Sequence, residues 1–306
     1  TGVYGSGKSS FCLEVLFANL SRRLKDAQAP LGGTDQLTGF ENVGRVLEVD
    51  QTPIGKNSRS CPATYVGIMT AIRDLYAATN EAQARGYDAS RFSFNKAVGA
   101  CPVCAGQGLR TVEMNFLPDV KVLCEACAGK RFNPETLEVL WRGKSIGDVL
   151  EMEIDEAVDF FASMPSIAYP LKLMQDVGLG YLTLGQPSPT LSGGEAQRLT
   201  LVTELAKVRT DGSFAARAPH TLYVLDEPTV GLHMTDVDRL SKVLSRLVDA
   251  GSTVVVIEHN LDIAADADWI IDLGPEGGAK GGKEVAQGSP KLLARKNTDT
   301  SIVQKA

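Results

Sequence analysis

Leu191-Ser192-Gly193-Gly194-Glu195-Ala196-Gln197 opens a segment whose pattern reads as a helix through about Lys207. Ser192 brings a hydroxyl, and the two glycines let the backbone approach a ligand closely. The helix that follows aims partial positive charge and free N–H groups at the same point. The stretch is therefore suited to receive an anion. By itself it would be no more than a helix cap, and its meaning comes from two strings on either side.

Downstream, Leu222-Tyr223-Val224-Leu225-Asp226-Glu227 is an apolar strand ending in two acids. At the tip of such a strand Asp226 is placed to hold Mg2+ through water. Glu227 is placed to orient or deprotonate an attacking water. Upstream, Gly2-Val3-Tyr4-Gly5-Ser6-Gly7-Lys8-Ser9 fits G-x-x-x-x-G-K-[ST], with Ser10 directly after it. Gly2, Gly5 and Gly7 let the backbone curl until the N–H groups around Ser6 face phosphate oxygens. Lys8 would reach the β- and γ-phosphates of ATP, and the Ser9 hydroxyl would ligate Mg2+. A phosphate loop needs a strand running into it, yet Gly2 is already part of the loop, so a polypeptide continuing upstream of Thr1 is expected.

The intervening pattern is that of an α/β protein. Leu13, Leu16, Phe17, Leu20 and Leu24 recur at helical spacing over Lys8–Leu24, and Arg45–Asp50 alternates as a strand. Helical pieces are expected at Thr70–Ala78 and Asp155–Ser163, and Val237, Leu240, Leu244 and Leu247 mark a helix over 235–250. Thr253–Ile257 is a β-branched run suited to a strand buried on both sides. Trp269–Leu273 and Glu284–Ala286 are further strand candidates. Residues 208–219 read as a surface loop, and 291–306 as a flexible tail.

Composition narrows the class. The 306 residues are 43% hydrophobic and 22% charged, enough to bury a substantial core. Neither a membrane-spanning run nor a signal peptide is visible, so a cytoplasmic location with no membrane partner is expected. The net charge of −6 does not advertise a nucleic-acid binder. Lys96, Arg110, Lys121, Lys130, Arg131, Arg142 and Lys144 nevertheless cluster in one stretch, as a basic surface or as ordinary solvated charges.

Four of the six cysteines form two pairs, Cys101-Pro102-Val103-Cys104 and Cys124-Glu125-Ala126-Cys127, nineteen residues apart. This spacing fits a structural Zn2+ site, with Gly106 and Gly129 permitting tight turns after each pair. Four thiolates close a tetrahedral site, which implies structure and not catalysis. Cys12 and Cys61 read as packing residues.

The seven residues from Leu191 resemble the signature motif of ATP-binding-cassette proteins. The resemblance implies that Leu191, Ser192, Gly193, Gly194, Glu195 and Gln197 reach ATP held by a second module, in a head-to-tail pair. It also places Gln51 like the family's Q-loop glutamine and His259 like its switch histidine, beside Glu227 in the catalytic set. The fold implied is an α/β P-loop cassette over residues 1–60 and 206–290. A signature domain is inserted at 61–205, with its four-cysteine zinc module at about 96–133.

Over nearly all 306 residues the chain closely resembles the C-terminal half of the UvrA family, the damage-recognition ATPases of bacterial nucleotide excision repair. The strings that carry this are Asp50-Gln51-Thr52-Pro53-Ile54-Gly55, Pro62-Ala63-Thr64-Tyr65, Arg91-Phe92-Ser93-Phe94-Asn95, Phe116-Leu117-Pro118-Asp119-Val120, Asp226-Glu227-Pro228-Thr229, Glu258-His259-Asn260-Leu261-Asp262 and Asp272-Leu273-Gly274-Pro275-Glu276-Gly277-Gly278. The resemblance implies ATP-controlled binding to distorted duplex DNA as a dimer. It further implies a second cassette and a downstream excision-repair subunit bound through the other half. Tyr4, Cys61 and Val230 depart from the family's usual Ser, Asn and Thr, which points to a divergent paralogue of the kind linked to drug self-resistance. A cassette ATPase driving another process, such as transport, and a non-functional gene fragment are the alternatives.

Overall fold

Thr221–Asp226 forms a strand whose first five residues are all buried, as a strand flanked on both sides must be. The computed structural model describes residues 1–55, 57–112, 114, 120–207 and 219–294. Among them run strands β1 (Arg45–Val49), β2 (Leu109–Val112), β3 (Val120–Leu123), β4 (Leu140–Trp141), β5 (Lys144–Ser145), β6 (Thr221–Asp226), β7 (Thr253–Ile257), β8 (Ile270–Gly274) and β9 (Lys283–Gly288). The chain divides into two units, Thr1–Gln51 with Lys207–Ala306, and Thr52–Ala206.

In the first unit β1, β6 and β7 form a parallel sheet with β6 at its centre. Parallel neighbours need a crossover, and the helix Met234–Asp249 supplies the one from β6 to β7. Val237, Leu240, Leu244 and Leu247 are its buried stripe. Register pairs Val49 with Leu225 and Asp226 with Ile257, so the three strands end in line. That alignment brings Gln51, Asp226, Glu227 and His259 to one edge of the sheet. β7 is less buried than its β-branched composition suggests: Thr253 is exposed and the three valines are half-buried. Among the described residues β7 is an edge strand of this sheet, paired with β6.

The helix after the phosphate loop is wider than its apolar spacing implies. Ser10–Phe17 is π-helical, with i→i+5 hydrogen bonds, and continues as an α-helix over Ala18–Arg23. Leu20 is buried with Leu222 and Val224, and Cys12, Leu13, Leu16 and Phe17 pack against them. β8 and β9 pair antiparallel, and Gly2 makes a parallel bridge to Leu273.

The second unit is mainly helical. Its core is rich in aromatic side chains, with Tyr76 against Phe92 at 5.7 Å and Phe94 against Phe132 at 6.0 Å between ring centroids. The β2–β3 hairpin rises between the two cysteine pairs. Ser58, Arg59 and Ser60 already belong to this unit. The Arg59 guanidinium donates to the Ala105 carbonyl at 2.9 Å, and the Ser188 hydroxyl donates to that of Ser60 at 2.9 Å.

The start of the expected flexible tail is ordered. Pro290–Leu293 is a short helix capped by Ser289, and Leu293 is buried with Ala264, Ile270 and Ala286. An apolar side chain with a core to enter holds this turn in place, which the proline and the polar residues after it conceal. Residues 295–306, residues 208–218 of the expected surface loop, and Phe116–Asp119 lie outside the described residues. No helix among the described residues is long and apolar enough to cross a membrane.

Candidate functional site

The phosphate loop turns through left-handed backbone at Gly5 (φ 75°) and Gly7 (φ 88°), a conformation that strains any side chain. Ser6 and Lys8 are buried, whereas Ser9 and Ser10 are exposed. The Lys8 ammonium donates to the carbonyls of Gly2 at 3.3 Å and Val3 at 2.9 Å. Burial pushes its pKa down, and the carboxylates of Glu227, Asp226 and Asp272 oppose that shift. The Ser9 hydroxyl donates to Asp226 Oδ1 at 3.3 Å, so two residues far apart in sequence share one point in space.

Glu227 stands next to Asp226 with φ 45°, a left-handed backbone that costs a non-glycine residue about 1–2 kcal/mol. Its Oε1 lies 3.6 Å from His259 Nε2. Such strain is kept where the surroundings over-determine it, commonly at sites of chemistry. Glu258 was visible in the sequence only as the neighbour of His259. Its buried carboxylate accepts from the backbone N–H groups of Thr229 at 2.8 Å, His259 at 2.9 Å and Asn260 at 3.2 Å. One side chain thus ties the loop after β6 to the loop after β7. A charged residue closing a β-branched strand was the signal that could have marked it. Gln51 is exposed, two residues beyond the end of β1.

Leu191 to Gln197 lie in the second unit, with the helix Gly193–Lys207 starting at the paired glycines. The Ser192 hydroxyl accepts from Glu195 N–H at 3.3 Å, and Ser192 N–H donates to Glu195 Oε2 at 2.7 Å. This reciprocal pair is a capping box. The hydroxyl read as an anion ligand therefore also serves as the helix cap. Tyr181, which the sequence did not single out, donates to Glu195 Oε1 at 2.5 Å. Burial and then the Glu195 carboxylate push the Tyr181 phenol up to about 12. Ser192 remains exposed, Leu191, Gly193, Gly194 and Glu195 are half-buried, and Gln197 is fully buried.

Cys101, Cys104, Cys124 and Cys127 are all buried, and their sulfurs lie within 4.8 Å of one another. Cys101 and Cys124 are 4.0 Å apart, and Cys104 and Cys127 are 3.7 Å apart. Tetrahedral Zn2+ with bonds of about 2.3 Å requires sulfurs roughly 3.8 Å apart, so the four thiols fit that ion. Gly106 (φ 76°) makes the turn after the first pair, where a Cβ would lie 1.8 Å from the Phe94 carbonyl oxygen. Burial raises the Cys127 thiol to about 12. Burial also opposes ionisation of Cys124, but N–H groups of Cys127 and Ala126 and the neighbouring thiols bring its pKa below the usual value.

The chain is 57% identical over 300 residues to the UvrABC system protein A of Thermus thermophilus, covering 98% of this chain and 31% of that protein. The Bacillus subtilis protein of the same description is 54% identical over 293 residues, 96% of this chain and 30% of its own length. The chain fits one segment of a UvrA protein. The crystal structure of UvrA2 from Deinococcus radiodurans matches with a TM-score of 0.83 and 48% identity, over 96% of this chain and 35% of that one. A scan of family models finds no match. The chain thus spans about a third of the length of the UvrA relatives it matches.

In this UvrA-like segment the basic run does not form one free face. Arg131 is buried, and Lys130 pairs with Asp148 at 2.6 Å. Lys144 lies 3.7 Å from Glu156. Arg142 donates to the Phe160 carbonyl at 2.9 Å and lies over the Trp141 ring. Lys96, Arg110 and Lys121 are exposed. Cys61 is fully buried and Cys12 packs beside Leu20, both as packing residues.

Proposed function

We propose that this chain is a Mg-ATP-binding cassette segment of a UvrA protein, serving ATP-dependent recognition of damaged duplex DNA in nucleotide excision repair. The observation that carries the reading is the convergence of Lys8, Ser9, Asp226, Glu227 and His259 at one sheet edge. There the Ser9 hydroxyl is 3.3 Å from Asp226 and Glu227 is 3.6 Å from His259. The identity to UvrABC system protein A supports the biological assignment.

In this reading Lys8 and the N–H groups of Gly5, Ser6, Gly7 and Ser10 hold the phosphates, with Gly2 giving the loop its entry. Ser9 and Asp226 hold Mg2+, which when bound neutralises phosphate charge. Glu227 takes the proton of the attacking water, His259 faces the γ-phosphate, and Gln51 orients the water. Leu191 to Gln197 serve a second cassette in trans, so the chain alone turns ATP over slowly. The four cysteines hold Zn2+ as a structural centre. Partners are duplex DNA, a second cassette supplied by the remainder of the protein and a homodimer mate, and the downstream repair subunit.

Binding of the zinc-loaded chain to damaged and undamaged duplexes, with and without ATP and at several salt concentrations, tests this. The expected result is steep salt dependence and a preference for the damaged duplex that changes with ATP. Nucleotide binding with no DNA affinity at any salt would overturn the DNA assignment. Turnover equal to that of a two-cassette protein would overturn the trans role of Ser192.

A further inference from the structure

A second glycine-rich turn is locked against the phosphate loop. Between β8 and β9 the chain runs Pro275-Glu276-Gly277-Gly278-Ala279-Lys280-Gly281-Gly282. Gly278 N–H donates to the Gly5 carbonyl at 3.0 Å, and Gly282 N–H donates to the Ser6 carbonyl at 3.0 Å. A Cβ built at Gly277 would lie 2.6 Å from the Tyr4 carbonyl oxygen. One at Gly281 would lie 2.8 Å from the Glu276 carbonyl oxygen and 3.0 Å from Ser6 Cα. Gly277 and Gly281 have φ of −86° and −82°, which any residue adopts. Their need for glycine is therefore one of space: two backbones meet with no room for a side chain.

This contact bears on phosphate binding through the geometry of the peptide unit. In a trans peptide the carbonyl of one residue and the N–H of the next point in opposite directions. Fixing the Ser6 carbonyl on Gly282 therefore fixes the Gly7 N–H away from the turn, toward the side where a phosphate is cradled. A loop free to flip that peptide would present a carbonyl oxygen to an anion instead.

We infer that the Gly277–Gly282 turn is a positioning element for polyphosphate, holding the Ser6–Gly7 peptide in its anion-accepting orientation. The inference rests on the phosphate-loop reading above. It predicts that nucleotide affinity depends on backbone positions that touch no ligand. The dependence should grow with the number of phosphates engaged.

The test is titration of the full chain with ATP, ADP and inorganic tripolyphosphate, for the parent, Gly277→Ala, Gly281→Ala and Lys291→Ala. Each glycine substitution is expected to weaken ATP and tripolyphosphate about tenfold or more and ADP by less, as loss of a hydrogen bond to a charged group would. Lys291→Ala removes an exposed charge outside the turn, and should leave all three affinities unchanged. Equal weakening of all three ligands, or parental affinities in both glycine variants, would overturn the inference. In case the glycine variants do not fold, hydrogen exchange on the parent decides. Tripolyphosphate should slow exchange at Gly278 and Gly282, and unchanged exchange at saturating ligand would refute the coupling. A parent that binds neither nucleotide nor tripolyphosphate would instead remove the phosphate-loop reading itself.

Discussion

The Arg131 guanidinium donates to the Gly185 carbonyl at 2.6 Å, joining the cysteine knuckle to the segment that leads into Leu191. Arg131 is buried and lies 5.2 Å over the Phe94 ring. Burial pushes its pKa down, while the Cys61, Cys104 and Cys127 thiols push it up. Four thiolates holding Zn2+ as proposed would carry a net negative charge, and a buried cation beside them would offset part of it. Arg131→Met is therefore expected to weaken zinc binding and to destabilise the second unit by about 3 kcal/mol. Competition against a chromophoric chelator reads the first and thermal unfolding the second. Unchanged zinc affinity would show that Arg131 acts only through Gly185.

Glu258 holds three backbone N–H groups, two of them from the loop that carries His259. Glu258→Gln keeps the shape but turns an NH2 group toward donors. Stability is expected to fall by about 1–3 kcal/mol, with ATP turnover in the assembled two-cassette protein falling more than ATP affinity. A variant with parental stability would mean that these loops hold without the carboxylate.

Glu227 combines a strained backbone with the proposed catalytic role. Glu227→Gln should keep nucleotide binding and abolish turnover in the two-cassette protein. Glu227→Gly should also be inactive, yet match or exceed the parent in stability by up to about 1 kcal/mol, because glycine adopts this φ freely. Denaturant unfolding of both variants checks the pair, and a glycine variant clearly less stable than the parent would refute the strain.

Asp148 caps the helix Ile146–Glu151 through Ser145 and pairs with Lys130 at 2.6 Å. Burial opposes its ionisation, but the bonds from Lys130 and Ser145 outweigh it and hold its pKa below the ordinary 3.8. A depressed carboxylate pKa contributes stability above the unfolded-state value, and the contribution is lost as pH falls through the folded-state value. Asp148→Asn should therefore cost about 1 kcal/mol at pH 7. The difference from the parent should shrink below about pH 4. A difference that stays constant from pH 7 to pH 3 would contradict this.

The elements of the candidate nucleotide site were legible where chemistry is written in short strings. Gly2 to Ser9, Asp226-Glu227 and the four cysteines announce themselves by residue type and spacing. The strands β1, β6 and β7 follow from β-branched and apolar runs. Contacts closed by backbone atoms were not legible, since every residue carries the same backbone. Asp272 to Gly278 is legible in sequence as a string shared with the UvrA family and as part of a glycine-rich turn, but nothing in it says which backbone it meets. Tyr181 gave no signal, because its partner Glu195 becomes its neighbour only when the chain folds.

The sequence by itself determined which groups are available: a lysine and hydroxyls for phosphate and magnesium, paired acids, a histidine, and four thiols spaced for zinc. Local spacing suffices for that, because the identity of a ligand atom does not depend on the path of the chain. Only the tertiary structure decided that Ser9 meets Asp226, that Glu258 ties two loops together, and that a glycine turn presses on the phosphate loop. Those contacts join residues far apart in sequence and are set by strand register and by backbone packed against backbone.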